Sequence, residues 1–244
     1  MFGMGIDRRT MIIIIVIFAA FNILTRENGL EMALFRLPAL LIAITFHEFA
    51  HAYAAYKLGD HTPKQQGRVT LNPLKHLDPI GTVLILTAGF GWGKPVEINP
   101  SNFNHTKSMS KGEAIVSFAG PLTNFVLALI FSIATYAMLQ FGTFADMGET
   151  GITLYRIMFS CIIINIGLGI FNLLPLPPLD GSKILMHFLP YEGKQWFYKN
   201  EQILFMVFLF AWLLGIAGRI ITPMILAVYN GMWALVSNVF GLFI

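Results

Sequence analysis

The chain has 244 residues, of which 56% are apolar and only 12% are charged, whereas soluble domains carry about 25% charged residues. This composition excludes a disordered chain, an ordinary soluble enzyme and a charged protein that binds nucleic acid. The basic excess is small, 16 Lys and Arg against 13 Asp and Glu, and it indicates orientation in a membrane rather than affinity for nucleic acid. The single cysteine, Cys161, excludes an internal disulfide and a zinc site built from cysteines.

Long apolar segments predict an all-α polytopic membrane protein, with residues 1–244 forming a single membrane domain. The first segment is short and follows two arginines, so a secretory signal peptide is the alternative. We favour a retained anchor helix, because no Ala-x-Ala cleavage site follows it. The six predicted spans are 11–24, 37–58, 114–141, 152–174, 203–217 and 220–243, and Gly218 and Arg219 separate the last two.

A further apolar run, 80–92, is too short for an ordinary span. Lys75 precedes it and Lys94 follows it, and a single crossing would place these lysines on opposite sides of the membrane. We therefore predict a re-entrant hairpin. Two β-like stretches, 68–71 and 95–98, predict a small β element near the cytoplasmic face, which could receive an unwound substrate strand by edge pairing.

The distribution of basic residues predicts the orientation. With six spans and a cytoplasmic N-terminus, 12 of the 16 Lys and Arg residues lie on the cytoplasmic side, as the positive-inside rule requires. We therefore predict a multi-pass protein of the cell membrane with both termini in the cytoplasm.

Three ionisable residues lie in the middle of the second span, where such groups are costly and usually functional: His47, Glu48 and His51. At 3.6 residues per turn, the two histidines share one helix face and can bind one metal ion. With Glu48 beside them as a base for water, they form the H-E-x-x-H pattern of zinc peptidases. The alternative, a solvated helix face, is disfavoured because a bare carboxylate in hydrocarbon costs several kcal/mol.

A catalytic zinc site usually has three protein ligands, and Asp180 is the candidate for the third. It follows a segment with Pro175, Pro177 and Pro178, which cannot continue an α-helix. We expect extended chain there, with a sharp turn after the aspartate at Gly181. An ordinary exit loop with a turn is the alternative for this segment taken alone.

Several motifs together resemble the site-2 protease family of intramembrane zinc metalloproteases. They are FHEFAH (46–51), GRVTLNP (67–73), DPIGT (78–82), GWGKPV (91–96), AGPLTN (119–124) and NLLPLPPLDG (172–181). The resemblance implies one Zn²⁺ held by His47, His51 and Asp180, with Glu48 as the base. It also implies that Asn172 contacts the substrate carbonyl. Many members of the family carry a PDZ or CBS domain, and the resemblance implies a minimal prokaryotic type without either.

The predicted function is therefore zinc-dependent cleavage of a single-span membrane protein in or near its transmembrane segment. The bilayer and this substrate are the only predicted partners, and nothing indicates an oligomeric state. A membrane metal-ion transporter or sensor is the alternative, although it would need more polar spans. A membrane protease for soluble substrates is a third possibility, but the sequence has no segment long enough for an extramembrane chamber.

The other polar residues are predicted to have structural roles. Asn124 and Asn165 are expected to form hydrogen bonds between helices. Gly120 and Pro121 are interpreted as a kink or a point of close packing. The remaining histidines are expected to be solvated loop residues: His61, His76, His105 and His187.

Overall fold

The computed structural model describes residues 29–88, 92–104 and 108–242, together with Phe21 and Thr25. Apart from Phe21, the predicted span 11–24 lies outside these residues, as does His105. The described residues form helices joined by turns and loops, and they contain no sheet. The all-α prediction is therefore confirmed.

Seven helices of nine or more residues organise the described part of the chain. They are α1 (Gly29–Lys57), α2 (Pro79–Ala88), α3 (Met109–Gln140), α4 (Glu149–Asn172), α5 (Asp180–Phe188), α6 (Tyr191–Leu213) and α7 (Ile216–Gly241). Shorter helical turns are Thr62–Gln65, Pro73–Lys75, Pro100–Asn102 and Thr143–Asp146.

Among the described residues, four helices are long and apolar enough to cross a bilayer. They are Glu31–Lys57, Met109–Gln140, Glu149–Asn172 and Ile216–Gly241. These correspond to the predicted spans 37–58, 114–141, 152–174 and 220–243. The protein is therefore a polytopic membrane protein, as its composition indicates.

The predicted span 203–217 does not appear as a separate helix. Its apolar residues form the second half of α6, whose first half is polar, and the chain turns at Gly215. Gly215 has φ +71°, a conformation that glycine adopts without a steric penalty. The predicted break at Gly218 and Arg219 is wrong, because both residues lie inside α7.

The centre of the molecule is formed by α1, α3 and α4, with α5 packed against α3 and α7 against α4. Fully buried alanines, Ala39 and Ala43 on α1 and Ala128 on α3, allow these helices to approach closely. Ala128 packs against a buried cluster on α4 that includes Ile162 and Ile166. This three-helix centre holds the side chains of the candidate site.

The two ends of the segment 77–93 lie side by side, and we call this segment the hairpin. Leu77 and Gly93 form an isolated antiparallel bridge, and the Lys94 amide donates to the His76 carbonyl at 2.7 Å. A Cβ atom on Gly81 would lie 2.0 Å from the Trp92 carbonyl oxygen, so only glycine permits this approach. The ends of the hairpin therefore meet, as a re-entrant path requires.

The predicted β element at 68–71 and 95–98 is not formed, since neither stretch is a strand. The side chain of Arg68 is buried instead. Its guanidinium donates to the backbone carbonyls of Lys75 and Lys94. The Arg68 side chain therefore supports the isolated backbone bridge at the ends of the hairpin.

Candidate metal centre

The first two candidate ligands come from one face of α1. His47 and His51 are one helical turn apart and are only 5% and 7% exposed. Their rings meet edge to face with centroids 4.5 Å apart, and their Nε2 atoms are separated by 3.0 Å. The predicted sharing of one helix face is thus present in the structure.

Asp180 reaches the histidines from the far side of a helix break. Its Oδ2 atom lies 3.2 Å from Nε2 of His47 and 3.1 Å from Nε2 of His51. The three side chains form a group in which the candidate ligand atoms all lie within 4.8 Å of one another. The structure thus brings together the three residues whose types and positions suggested a metal site.

The backbone around Asp180 differs from the expectation. Residues 173–179 form turns rather than an extended chain, with a cis peptide bond between Pro177 and Pro178. Asp180 begins α5, so the helix starts where a sharp turn was expected. A Cβ atom on Gly181 would lie 2.3 Å from the Leu173 carbonyl oxygen. Glycine is needed there because α5 lies against the end of α4.

Gly120 on α3 leaves the space in which the two imidazoles sit. A Cβ atom at this position would lie 2.5 Å from Nε2 of His51 and 2.7 Å from Cε1 of His47. The sequence pattern indicated close packing or a kink here, but gave no sign that the partners are the two histidines. A glycine in an apolar helix is too common to identify them.

The second ring nitrogen of each histidine has its own partner. Nδ1 of His51 lies 2.7 Å from the Val116 carbonyl oxygen, and Nδ1 of His47 lies 2.7 Å from Oδ1 of Asn124. A carbonyl oxygen only accepts hydrogen bonds, so a neutral His51 carries its proton on Nδ1 and a lone pair on Nε2. That lone pair faces His47 and Asp180.

This arrangement fits a zinc ion. Oδ2 of Asp180 is buried and, within the described part of the chain, has no hydrogen-bond partner. Two Nε2 atoms face this oxygen at 3.1–3.2 Å. Tetrahedral zinc with bonds of about 2.0–2.1 Å places its ligand atoms roughly 3.3 Å apart. The donor types are also correct, because imidazole nitrogen and carboxylate oxygen are common zinc ligands.

Glu48 lies next to the hairpin. One carboxylate oxygen is 3.4 Å from where a Cβ atom on Gly93 would lie, and the other is 4.0 Å from the Arg68 guanidinium. Burial lowers the pKa of Arg68, while Glu48 and Glu97 act in the opposite direction. Arginine nevertheless stays charged in proteins, so Glu48 has a buried cation nearby.

Asn172, like Glu48, lies outside the group of three candidate ligands. It ends α4, and its side-chain amide donates to the Leu168 carbonyl of the same helix at 3.1 Å. Among the described contacts, none joins Asn172 to the three candidate ligands. Its amide has a second N–H group that this hydrogen bond does not use.

The interpretation of the remaining histidines holds only in part. His61 is exposed and His187 is half-buried. The prediction for His76 is wrong, because its ring is fully buried and Nε2 lies 2.7 Å from the Thr70 carbonyl oxygen. This ring supports the start of the hairpin.

Comparison with known proteins adds evidence from outside the chain. The profile of peptidase family M50 matches residues 143–215. YwhC of Bacillus subtilis, which is named as a zinc metalloprotease, is 40% identical over 206 residues, or 82% of this chain and 90% of that protein. Rip2 of Mycolicibacterium smegmatis, also named as a zinc metalloprotease, is 32% identical over 171 residues, or 64% of this chain and 60% of that protein.

A more distant relative is the zinc metalloprotease MJ0392 of Methanocaldococcus jannaschii. It is 26% identical over 176 residues, which are 72% of this chain but only 40% of that protein. The chain thus spans most of YwhC and smaller shares of the other two proteins. No solved structure matches the chain significantly.

Proposed function

Because the chain belongs to peptidase family M50, the site-2 protease family, we propose that it cuts single-span membrane proteins within or beside their transmembrane helix. The protein is a zinc metalloprotease and a multi-pass membrane protein. The alternative of a metal-ion transporter or sensor is disfavoured by this family membership. Regulated proteolysis of a membrane-bound substrate is the activity that the site supports best.

The proposed zinc ligands are Nε2 of His47, Nε2 of His51 and Oδ2 of Asp180. The main support for this proposal is that these three atoms lie 3.0–3.2 Å from one another, between α1, α3 and the start of α5. When bound, zinc supplies Lewis-acid chemistry and makes water acidic near neutral pH.

Glu48 is the proposed general base. It takes a proton from the attacking water and passes it to the amine that leaves as the peptide bond breaks. Its position in the sequence, directly after His47, places it beside the metal ligands on α1. The Arg68 guanidinium lies 4.0 Å from one of its carboxylate oxygens.

Asn172 is proposed to donate a hydrogen bond to the scissile carbonyl oxygen as negative charge develops on it. The free N–H group of its amide is available for this contact, and the bond to Leu168 holds the rest of the side chain. A substrate strand would have to approach the end of α4 to receive it.

The depth of the site supports a membrane-bound substrate. His47 and His51 lie well inside a helix that is long enough to cross a bilayer, and both are buried. A transmembrane helix can enter such a site sideways, whereas a soluble loop would have to thread into it. The helix must unwind first. The free-energy cost of unwinding is lower near glycine, by about 1 kcal/mol, and near proline, by about 3 kcal/mol.

The orientation is part of the same proposal. Basic residues concentrate in the segments that we assign to the cytoplasm, so both termini and the water-accessible side of the site lie there. The cleaved fragment would then be released into the cytoplasm.

Cleavage in a reconstituted system tests this function. The wild type and Glu48→Gln are purified in detergent and incubated with a single-span protein that has glycine or proline in its transmembrane segment. Mass spectrometry should locate cuts within or beside that segment for the wild type alone. Cuts confined to distant soluble loops, or equal activity of the glutamine variant, would contradict the proposal.

A further inference from the structure

Asn124 connects the candidate metal site to two neighbouring helices. It lies on α3 and is fully buried. Its Oδ1 atom lies 2.7 Å from Nδ1 of His47. Its Nδ2 atom donates to the Ala43 carbonyl on α1 at 3.1 Å and to Oδ1 of Asn165 on α4 at 2.9 Å.

Backbone carbonyl oxygens, which can only accept hydrogen bonds, determine how the side-chain amides of Asn124 and Asn165 are oriented. The Ala43 carbonyl can only accept, so the atom of Asn124 that faces it must be the NH₂ group. The Asn165 amide is oriented in the same manner, since its Nδ2 donates to the Cys161 carbonyl at 2.8 Å. Its Oδ1 atom is therefore left to accept from Asn124.

These orientations fix the tautomer of His47. Oδ1 of Asn124 has no proton to give, so Nδ1 of His47 must donate to it. Nε2 of the neutral ring then carries the lone pair that points to His51 and Asp180. An imidazole that is protonated on Nε2 could not bind a metal ion through that atom.

We infer that Asn124, oriented by Asn165, is a positioning residue that holds His47 in the tautomer able to bind zinc. The inference rests on the proposed metal ligands. Partners that orient a metal-binding histidine through its other ring nitrogen typically contribute 10–100-fold to metal affinity when they are present. Hydrogen bonding between helices alone would stabilise the fold without this effect on the metal.

Ser132 provides a matched control. It is also a fully buried polar residue on α3, and it donates to the Ala128 carbonyl of its own helix at 2.8 Å. Ser132→Ala therefore removes a buried polar group from the same helix without touching His47.

The test compares zinc affinity in the full-length protein. The wild type, Asn124→Leu, Asn124→Asp and Ser132→Ala are titrated in detergent against a chromophoric zinc chelator. The visible spectrum of each Co²⁺-substituted protein reports the ligand geometry. Asn124→Leu should bind zinc about 10–100-fold more weakly and change the cobalt spectrum. Asn124→Asp keeps an acceptor for Nδ1 but loses the donor to the Ala43 carbonyl and to Asn165, so its zinc affinity should fall less than that of Asn124→Leu, whereas Ser132→Ala should not change.

Either of two results would overturn this inference and leave the proposed ligands intact. The first is a wild type that binds zinc and an Asn124→Leu variant with the same zinc affinity. The second is an equal loss of zinc affinity in folded Asn124→Leu and folded Asn124→Asp. If Asn124→Leu does not fold, Asn124→Ala removes the same acceptor with less bulk and has the same expected loss. A folded wild type that binds no zinc would instead defeat the proposed ligands, and this inference with them.

Discussion

Gly120 determines how closely α3 can pass the two imidazoles. A methyl group at this position would lie 2.5–2.7 Å from ring atoms of both histidines, so the rings or the helices would have to move. Metal sites tolerate only small displacements of their ligands. We therefore predict that Gly120→Ala lowers zinc affinity by more than about tenfold, as measured by chelator competition.

Gly218→Ala is the matched control for this prediction. Gly218 lies inside α7, and a Cβ atom there would meet no atom within 4 Å. Alanine is favoured over glycine in a helix by roughly 1 kcal/mol, so this variant should keep its zinc and be at least as stable. Wild-type zinc affinity in Gly120→Ala would show that the rings have more room than the structure indicates.

At the level of secondary structure, Arg68 joins the two ends of the hairpin. One planar guanidinium reaches both the Lys75 and the Lys94 carbonyl, a geometry that the single ammonium of lysine cannot reproduce. Hydrogen bonds from charged donors contribute about 1.5–3 kcal/mol each. Loss of one therefore corresponds to at least tenfold more frequent local opening.

Arg68→Lys should thus increase amide hydrogen exchange at Lys94, whose N–H group donates to the His76 carbonyl. The expected change is at least about tenfold, measured in the detergent-solubilised protein. Lys64→Ala removes an exposed cation nearby and should leave exchange at Lys94 unaltered. Equal protection of Lys94 in Arg68→Lys and the wild type would mean that the bridge and the helices alone hold the hairpin closed.

For the whole molecule, we predict from the meeting of its ends that the hairpin enters and leaves the bilayer on the same side. Lys75→Cys and Lys94→Cys, each made in a Cys161→Ala background, should react with a membrane-impermeant maleimide from the same side. Both lysine side chains are exposed, so the substitutions disturb little. Labelling from opposite sides would make the hairpin a true crossing and would require a new topology.

The grouping of His47, His51 and Asp180 could be expected from the sequence, because ionisable groups in apolar surroundings have few structural explanations. Their role as metal ligands remains a prediction. The main apolar helices could be predicted as well, since length and hydropathy suffice for them. The predicted break between α6 and α7 is at the wrong place, because Gly218 and Arg219 look more disruptive in the sequence than Gly215, which adopts the left-handed turn.

Features that depend on one tertiary contact could not be predicted. The β-like residues near 68–71 do not form a strand, and the buried Arg68 side chain contacts the Lys75 and Lys94 carbonyls. The importance of Gly120 becomes visible only when α1 lies beside it. The contact of Asn124 with His47 could not be predicted either, because the sequence does not show that the two side chains lie 2.7 Å apart.

The most direct test of the central claim is the zinc content of the purified protein and its variants, measured by mass spectrometry of the metal. We predict about one zinc per chain in the wild type and in Glu48→Gln, because Glu48 is not a proposed ligand. His47→Ala and Asp180→Ala should lose most of the zinc while remaining folded. Full zinc occupancy in Asp180→Ala, or its loss in Glu48→Gln, would contradict the proposed site.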